Sequence, residues 1–188
     1  MRGHFAPACA GARVALLDAL DSQRYFSLLD EFDKLTAEPP LTPQAAMPTA
    51  DVLPAAARRP YRQVRRRMRR ARRARDGQST DAALHEARKA AKRARYASEA
   101  MTLAIGKKAR RFATQMKKVQ SVLGDHQDAV IARQVERELG ISAHLAGENA
   151  FSYGLLYGRD VCDGQRLQAR ARRTWKRASR PRYRRWMH

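Results

Sequence analysis

Strand-like alternation of apolar and polar residues is missing from this sequence, and so is any apolar run of the roughly 18 residues that a membrane span requires. Sheet folds and spanning helices are therefore not expected. Cysteine occurs only twice, at Cys9 and Cys162, with no CxxC pair and no Cys/His cluster at ligand spacing. A zinc site is excluded on those grounds. A single disulfide between the two stays open, but a reduced cytosolic setting is the better expectation. The first residues, MRGHFAPACAGAR, hold no apolar core, so neither a secretory signal nor a lipoprotein signal is expected. There is no glycine-rich phosphate loop and no nucleophile–base pair. The carboxylates are too sparse in the basic part of the chain to gather a catalytic metal. No cofactor, no metal and no enzymatic activity are expected.

What the sequence has in excess is positive charge. Its 188 residues carry 39 Lys+Arg against 18 Asp+Glu, a formal net charge of +21. Residues 1–57 hold 4 Lys+Arg against 7 Asp+Glu, a net of −3, whereas residues 58–188 hold 35 against 11, a net of +24. Charge on that scale speaks of partners rather than of fold, and the partner it implies is an anion met by the last two thirds of the chain.

The rest reads as helices. Residues 12–36 space Val14, Leu17, Leu20, Tyr25, Leu28, Leu29, Phe32 and Leu35 at helical intervals, with Asp21-Ser22 as the start of a second helix. Five prolines between Pro39 and Pro54 mark a connector, because proline lacks an amide donor and restricts the residue before it. Helical patterns follow over 55–75, 81–104, 107–123 and 126–139, with Gly106, Gly124 and Gly140 as stops. Ser79, Thr80 or Asp81 can cap the second of these. An Ala/Gly-rich stretch covers 142–163, and a basic helix covers 164–180. The expected organisation is a helical segment at 1–38, a proline-rich linker at 39–54, a helical bundle at 55–165, and a basic helix and tail at 166–188. The fold class is all-α, an antiparallel helical bundle.

Wound at about 100° per residue, the helix around ALHEARKAAKRARYASEAM segregates its charge. His85, Arg88, Lys89, Lys92 and Tyr96 share one face, flanked by Arg93 and Arg95, and Ala87, Ala90, Ala94, Ala97 and Met101 occupy the other. In 55–75, Arg62, Arg66, Arg69 and Arg73 lie opposite a Tyr61/Val64/Met68/Ala71 stripe. In 107–123, Lys107, Arg111 and Lys118 lie opposite Phe112, Met116 and Val119. For one helix a solvated surface face explains such a pattern equally well. Repetition on several helices favours a basic cleft, because crowded like charges repel without a counter-ion.

The arrangement Leu84-His85-x-x-Arg88-Lys89-x-x-Lys92-Arg93-x-Arg95-Tyr96-x-x-Glu99 resembles the second signature of the CHAD (conserved histidine α-helical domain) family. VQSVLGDHQDAVIAR, residues 119–133, is similar to that family's L-G-x-x-x-D segment, with Asp128 at the acidic position. AFSYGLLYGRD, residues 150–160, is similar to the small-residue helix that follows. The resemblance covers roughly residues 55–163. It implies two pseudo-repeated helical bundles around a basic centre, binding of inorganic polyphosphate without catalysis, and a CYTH-type triphosphate tunnel protein as partner. No first-half H-x-x-R signature precedes residue 80, and 12–36 resemble the closing helices of a first half. A half or truncated form of the two-bundle fold is therefore expected, with a homodimer as the way a genuine half would close. A cytoplasmic location is expected from the lack of a signal segment and of a membrane span, and the polyphosphate reading adds polyphosphate granules as a place within it.

His85, Arg88, Lys89, Lys92, Arg93, Arg95 and Tyr96 match the signature helix, and Arg62, Arg66, Arg69, Arg73, Lys107, Arg111 and Lys118 complete the expected polyphosphate site. The rival is a sequence-tolerant nucleic-acid binder. Residues 166–188 hold ten Lys+Arg and no acid, with Trp175, Tyr183 and Trp186 interleaved, the combination that grips single strands. The same aromatics could instead anchor the last helix in the bundle, leaving 181–188 loose.

Overall fold

A computed structural model describes residues 2–187, with side chains described from Phe5 onward. It divides into two compact units, Met1–Met47 and Pro48–His188. Among the described residues every regular element is helical, and no helix is long and apolar enough to cross a membrane.

The first unit is a pair of helices, α1 (Arg2–Leu20) and α2 (Gln23–Ala37), followed by a 3-10 turn at Pro43–Ala46. The break falls where Asp21-Ser22 predicts it. Ser22 caps α2, its hydroxyl oxygen accepting from the Tyr25 amide at 3.3 Å. The apolar stripe of these helices stays open to solvent within the unit, with Leu28 and Phe32 about half exposed.

The second unit contains four long helices in antiparallel sequence: α3 (Thr49–Arg73), α4 (Gly77–Ala100), α6 (Lys107–Leu145) and α7 (Phe151–Ala178). A single turn, α5 (Thr102–Ile105), links α4 to α6. Gly106, at φ 69°, closes α5 in the left-handed conformation that a residue with a β-carbon avoids. After α7 come α8 (Pro181–Arg184) and a 3-10 turn, Arg185–Met187. In sequence order, α4 packs on α3, α6 on α4 and α7 on α6.

The core is built from the stripes that the sequence marks. Val64 and Met68 of α3 and Phe112, Met116, Val119 and Leu123 of α6 are all buried. The alanine face of α4 is enclosed, with Ala87, Ala90, Ala91 and Ala94 at 0–1% exposure. Small residues there let both neighbours approach α4 closely. Tyr61 stacks on Trp175 at 6.0 Å between ring centres, and Phe112 meets Tyr61 and Trp186 edge-on at 6.0 and 6.3 Å. Burying each such side chain contributes roughly 1.5–3 kcal/mol.

Several expected boundaries move. The connector ends at Pro48, and α3 begins at Thr49 although Pro54 lies inside it, because Leu53 and Ala57 pack on the core. Asp76 rather than Ser79, Thr80 or Asp81 caps α4, accepting from the Ser79 amide at 2.7 Å. Gly124 and Gly140 stop nothing: α6 runs straight through both. Each glycine answers to a neighbour instead, Arg88 beside Gly124 and Tyr153 beside Gly140. The Ala/Gly-rich stretch and the basic helix are likewise one continuous α7. Asp125 and Asp128 are exposed mid-helix residues. The tail is not loose through Met187, which is 2% exposed in the core.

Candidate anion-binding site

With its alanines turned inward, α4 presents its polar side as a ridge. Lys92, Arg93 and Tyr96 are exposed on it, and His85, Arg88 and Arg95 are half-buried along the seam with α6. Nδ1 of His85 donates to Oε1 of Gln127 at 2.8 Å. Arg95 donates through Nε to Glu99 at 2.7 Å and through Nη1 to Gln120 at 3.5 Å. Lys92 and Arg95 both lie against the Tyr96 ring, at 5.7 and 5.3 Å from its centre, within cation–π range.

Between these pairs lies Arg88, draped over Gly124. Its Nε is fully buried and has no hydrogen-bond partner. No carboxylate among the described residues pairs with Arg88, so its guanidinium charge stays available to an anion on the ridge. Lys89 differs from the rest of the row. It pairs with Glu86, which Arg67 of α3 also approaches at 3.8 Å. The Lys89 hydrogen bond is the main reason that the Glu86 carboxyl is held below its ordinary range, with the charges of Lys89, Arg67 and His85 adding to it.

The other expected site residues do not share one groove with the α4 ridge. Arg62 and Arg66 line a shallow hollow of about 340 Å³ on the outer side of α3, together with Arg58 and Arg59. Arg69 and Arg73 are exposed on the same helix. Lys107 is exposed at the start of α6. Arg111 faces Arg182 and Tyr183 across a hollow of about 400 Å³, and Lys118 opens on the α6–α7 side. The physical reason is that α6 is buried against both α4 and α7, so its cations emerge on separate arcs rather than beside the α4 row.

Below His85 the structure holds a polar cluster that sequence reasoning missed. A groove of about 640 Å³ is lined by His85, Gln127, Asp81, Arg133 and Arg137, among others. Asp81 of α4 is buried and accepts from Arg133 of α6 in a short contact and from Gln168 of α7 at 3.4 Å. His126 is 1% exposed, with Nε2 standing 3.3 Å from Asp81 but out of line for a hydrogen bond. Burial is the main cause that holds the His126 pKa below the usual 6.5; Asp81 works against it and Arg133 with it. The available signal was His126 falling on the inward arc of α6 with Leu123 and Val119, which a helix broken at Gly124 concealed.

The CHAD domain profile matches residues 1–137 of the chain, taking in the front helices and stopping before α7. Two proteins of Mycobacterium tuberculosis, uncharacterized protein MT2285 of strain CDC 1551 / Oshkosh and uncharacterized protein Rv2226 of strain ATCC 25618 / H37Rv, are each 37% identical to it over 154 residues. Those residues are 80% of this chain and 28% of each relative, so the chain spans little more than a quarter of their length. No solved structure matches it.

Proposed function

The chain belongs to the CHAD domain family, which is linked in general to polyphosphate binding, and from that premise we propose that it binds inorganic polyphosphate along the α4 ridge without catalysing any reaction. The observation that carries the reading is Arg88, held between the His85–Gln127 and Arg95–Gln120 pairs with no carboxylate partner among the described residues. A phosphate on the ridge would draw charge-assisted contacts from the end of the Arg88 guanidinium and from Lys92, each contributing roughly 1.5–3 kcal/mol. Binding rises with chain length and falls steeply with salt, because every neutralised phosphate releases a counter-ion.

A nucleic-acid reading has less support. Its aromatic tail would need free rings, but Trp175 stacks on Tyr61 and Trp186 packs against Phe112. A CYTH-type partner, a homodimer and a place at cytoplasmic polyphosphate granules remain part of the proposal. A stable monomer by light scattering at micromolar concentration would remove the dimer.

The deciding experiment is competition at fixed, near-physiological ionic strength between long-chain polyphosphate and single- and double-stranded nucleic acid. Preference for polyphosphate per phosphate is expected, together with weaker long-chain binding on replacing Arg88, Lys89 and Lys92 by alanine. Preference for nucleic acid would refute the reading.

A further inference from the structure

A basic groove of the second unit lies away from the α4 ridge. It has a volume of about 970 Å³ and lies between α6, α7 and the turn into α8. Lys118 enters it from α6, Arg170, Arg173 and Arg177 from α7, and Arg180 and Arg182 from the segment that follows. Lys118 stands about 200° around α6 from Gln120, at 100° per residue, so this groove opens well away from the seam where Arg95 meets Gln120. The profile match ends at residue 137, so every cation here except Lys118 lies beyond the matched residues.

Three observations say what the groove is built to hold. No carboxylate lines it, and among the described residues none of the six cations named pairs with one. Arg173 repels both Arg170 and Arg177, each about one helical turn away on α7. An anion lying along the groove would relieve both repulsions at once. The third observation concerns stacking. Tyr183 is the one aromatic residue in the lining, and the Arg182 guanidinium covers its ring at 4.8 Å. The groove therefore offers guanidinium forks for phosphate oxygens and no open ring for a base.

We propose that this α6–α7 groove is a second phosphate-chain site, so that one domain grips a long polyphosphate at two places. The inference rests on the reading of α4 as the first site. A chain long enough to occupy both gains through effective concentration, whereas a short chain fills each site singly.

The test uses the full chain, inorganic tripolyphosphate as the short probe and long-chain polyphosphate as the long one, each titrated calorimetrically. Arg173→Ala/Arg177→Ala/Arg180→Ala removes groove cations that are all exposed, and an unchanged melting temperature shows that the fold is kept. Arg88→Ala/Lys92→Ala removes the ridge. The parent is expected to take two tripolyphosphates and each variant one. The groove variant should lose about 10²-fold or more in long-chain affinity, the scale on which a second linked contact acts. A groove variant identical to the parent with both probes overturns the second site and leaves the ridge standing. A ridge variant that binds as the parent does, beside a groove variant that binds nothing, overturns the ridge and the two-site scheme with it. Tighter binding of oligo-dT than of polyphosphate per phosphate at the groove, seen in the ridge variant, overturns the ligand class.

Discussion

A β-carbon built on Gly124 would stand 3.6 Å from Nε of Arg88, an ordinary van der Waals distance, so the arginine lies on the glycine with no room for more than a methyl group. Gly124→Ala is thus expected to stabilise the protein by about 0.5–1 kcal/mol, because alanine restrains an interior helical position that glycine leaves loose. Gly124→Leu should lift Arg88 off α6 and weaken polyphosphate binding. Gly140 supplies the contrast. Its added β-carbon would come to 3.2 Å from Cβ of Tyr153, an atom fixed to the α7 backbone that cannot swing aside. Gly140→Ala is expected to lose the propensity gain and to lower stability. Urea unfolding midpoints of the two alanine variants, moving in opposite directions, check the pair.

His126 gives the protein a pH dependence with a defined sign. Its folded pKa is depressed below 6.5, mainly by burial, with Asp81 and Arg133 as the charged groups that face it. Between the folded value and 6.5 the unfolded chain binds a proton that the folded chain refuses. The stability that His126 contributes is therefore complete above 6.5 and is lost as pH falls through the folded value, at no more than about 1.4 kcal/mol per pH unit. His126→Gln should remove this component. Chemical denaturation of both proteins at several pH values between about 7.5 and 5 measures the difference. Parallel curves would show that His126 is not the group responsible.

Anchoring of the tail can be tested at Met187. The residue is 2% exposed, and its carbonyl accepts from Nε of Arg58 at 3.3 Å. Met187→Ala is expected to cost about 2–3 kcal/mol, within the range for truncating a buried methionine. That corresponds to a melting temperature lower by roughly 5–10 °C in a chain of this size. An unchanged melting temperature would mean that residues 181–187 are not seated on the core.

The helices of the second unit were legible because their buried stripes obey the 3.6-residue period with few exceptions. Tyr61, Val64 and Met68 on α3 and Phe112, Met116 and Val119 on α6 are as buried as their spacing implies. Glycine misled where its reason was tertiary. Nothing local distinguishes Gly124, which admits Arg88, from a terminating glycine such as Gly147 at φ 73°. The α4 ridge was readable because its face is decided by α4 alone. Which cations join it across helices was not, because that depends on which arcs of α6 face α4 and which face α7. Lys118 went to the α7 side for that reason, and the cluster in which buried Asp81 and His126 meet the partly exposed Arg133 stayed hidden for the same one.

Glu136 tests how far this basic unit tolerates a buried carboxylate. It is 7% exposed on α6, its Oε2 has no partner, and Asp160 of α7 lies near enough for their charges to interact. Burial first, and then the Asp160 charge, push its pKa above 4.5, with Arg159 opposing. A raised folded value means that its contribution is complete below 4.5 and is lost as pH rises through the folded pKa. Ionised Glu136 therefore weakens the fold at neutral pH, and Glu136→Gln is expected to raise stability there by about 1 kcal/mol, the low end for an unsatisfied buried group. The advantage should shrink as the pH falls toward 4.5, where the parent carboxyl is itself neutral. Urea midpoints of parent and variant at pH values of about 8 and 4.5 make the comparison. A gain of the same size at both would assign the effect to packing rather than to charge.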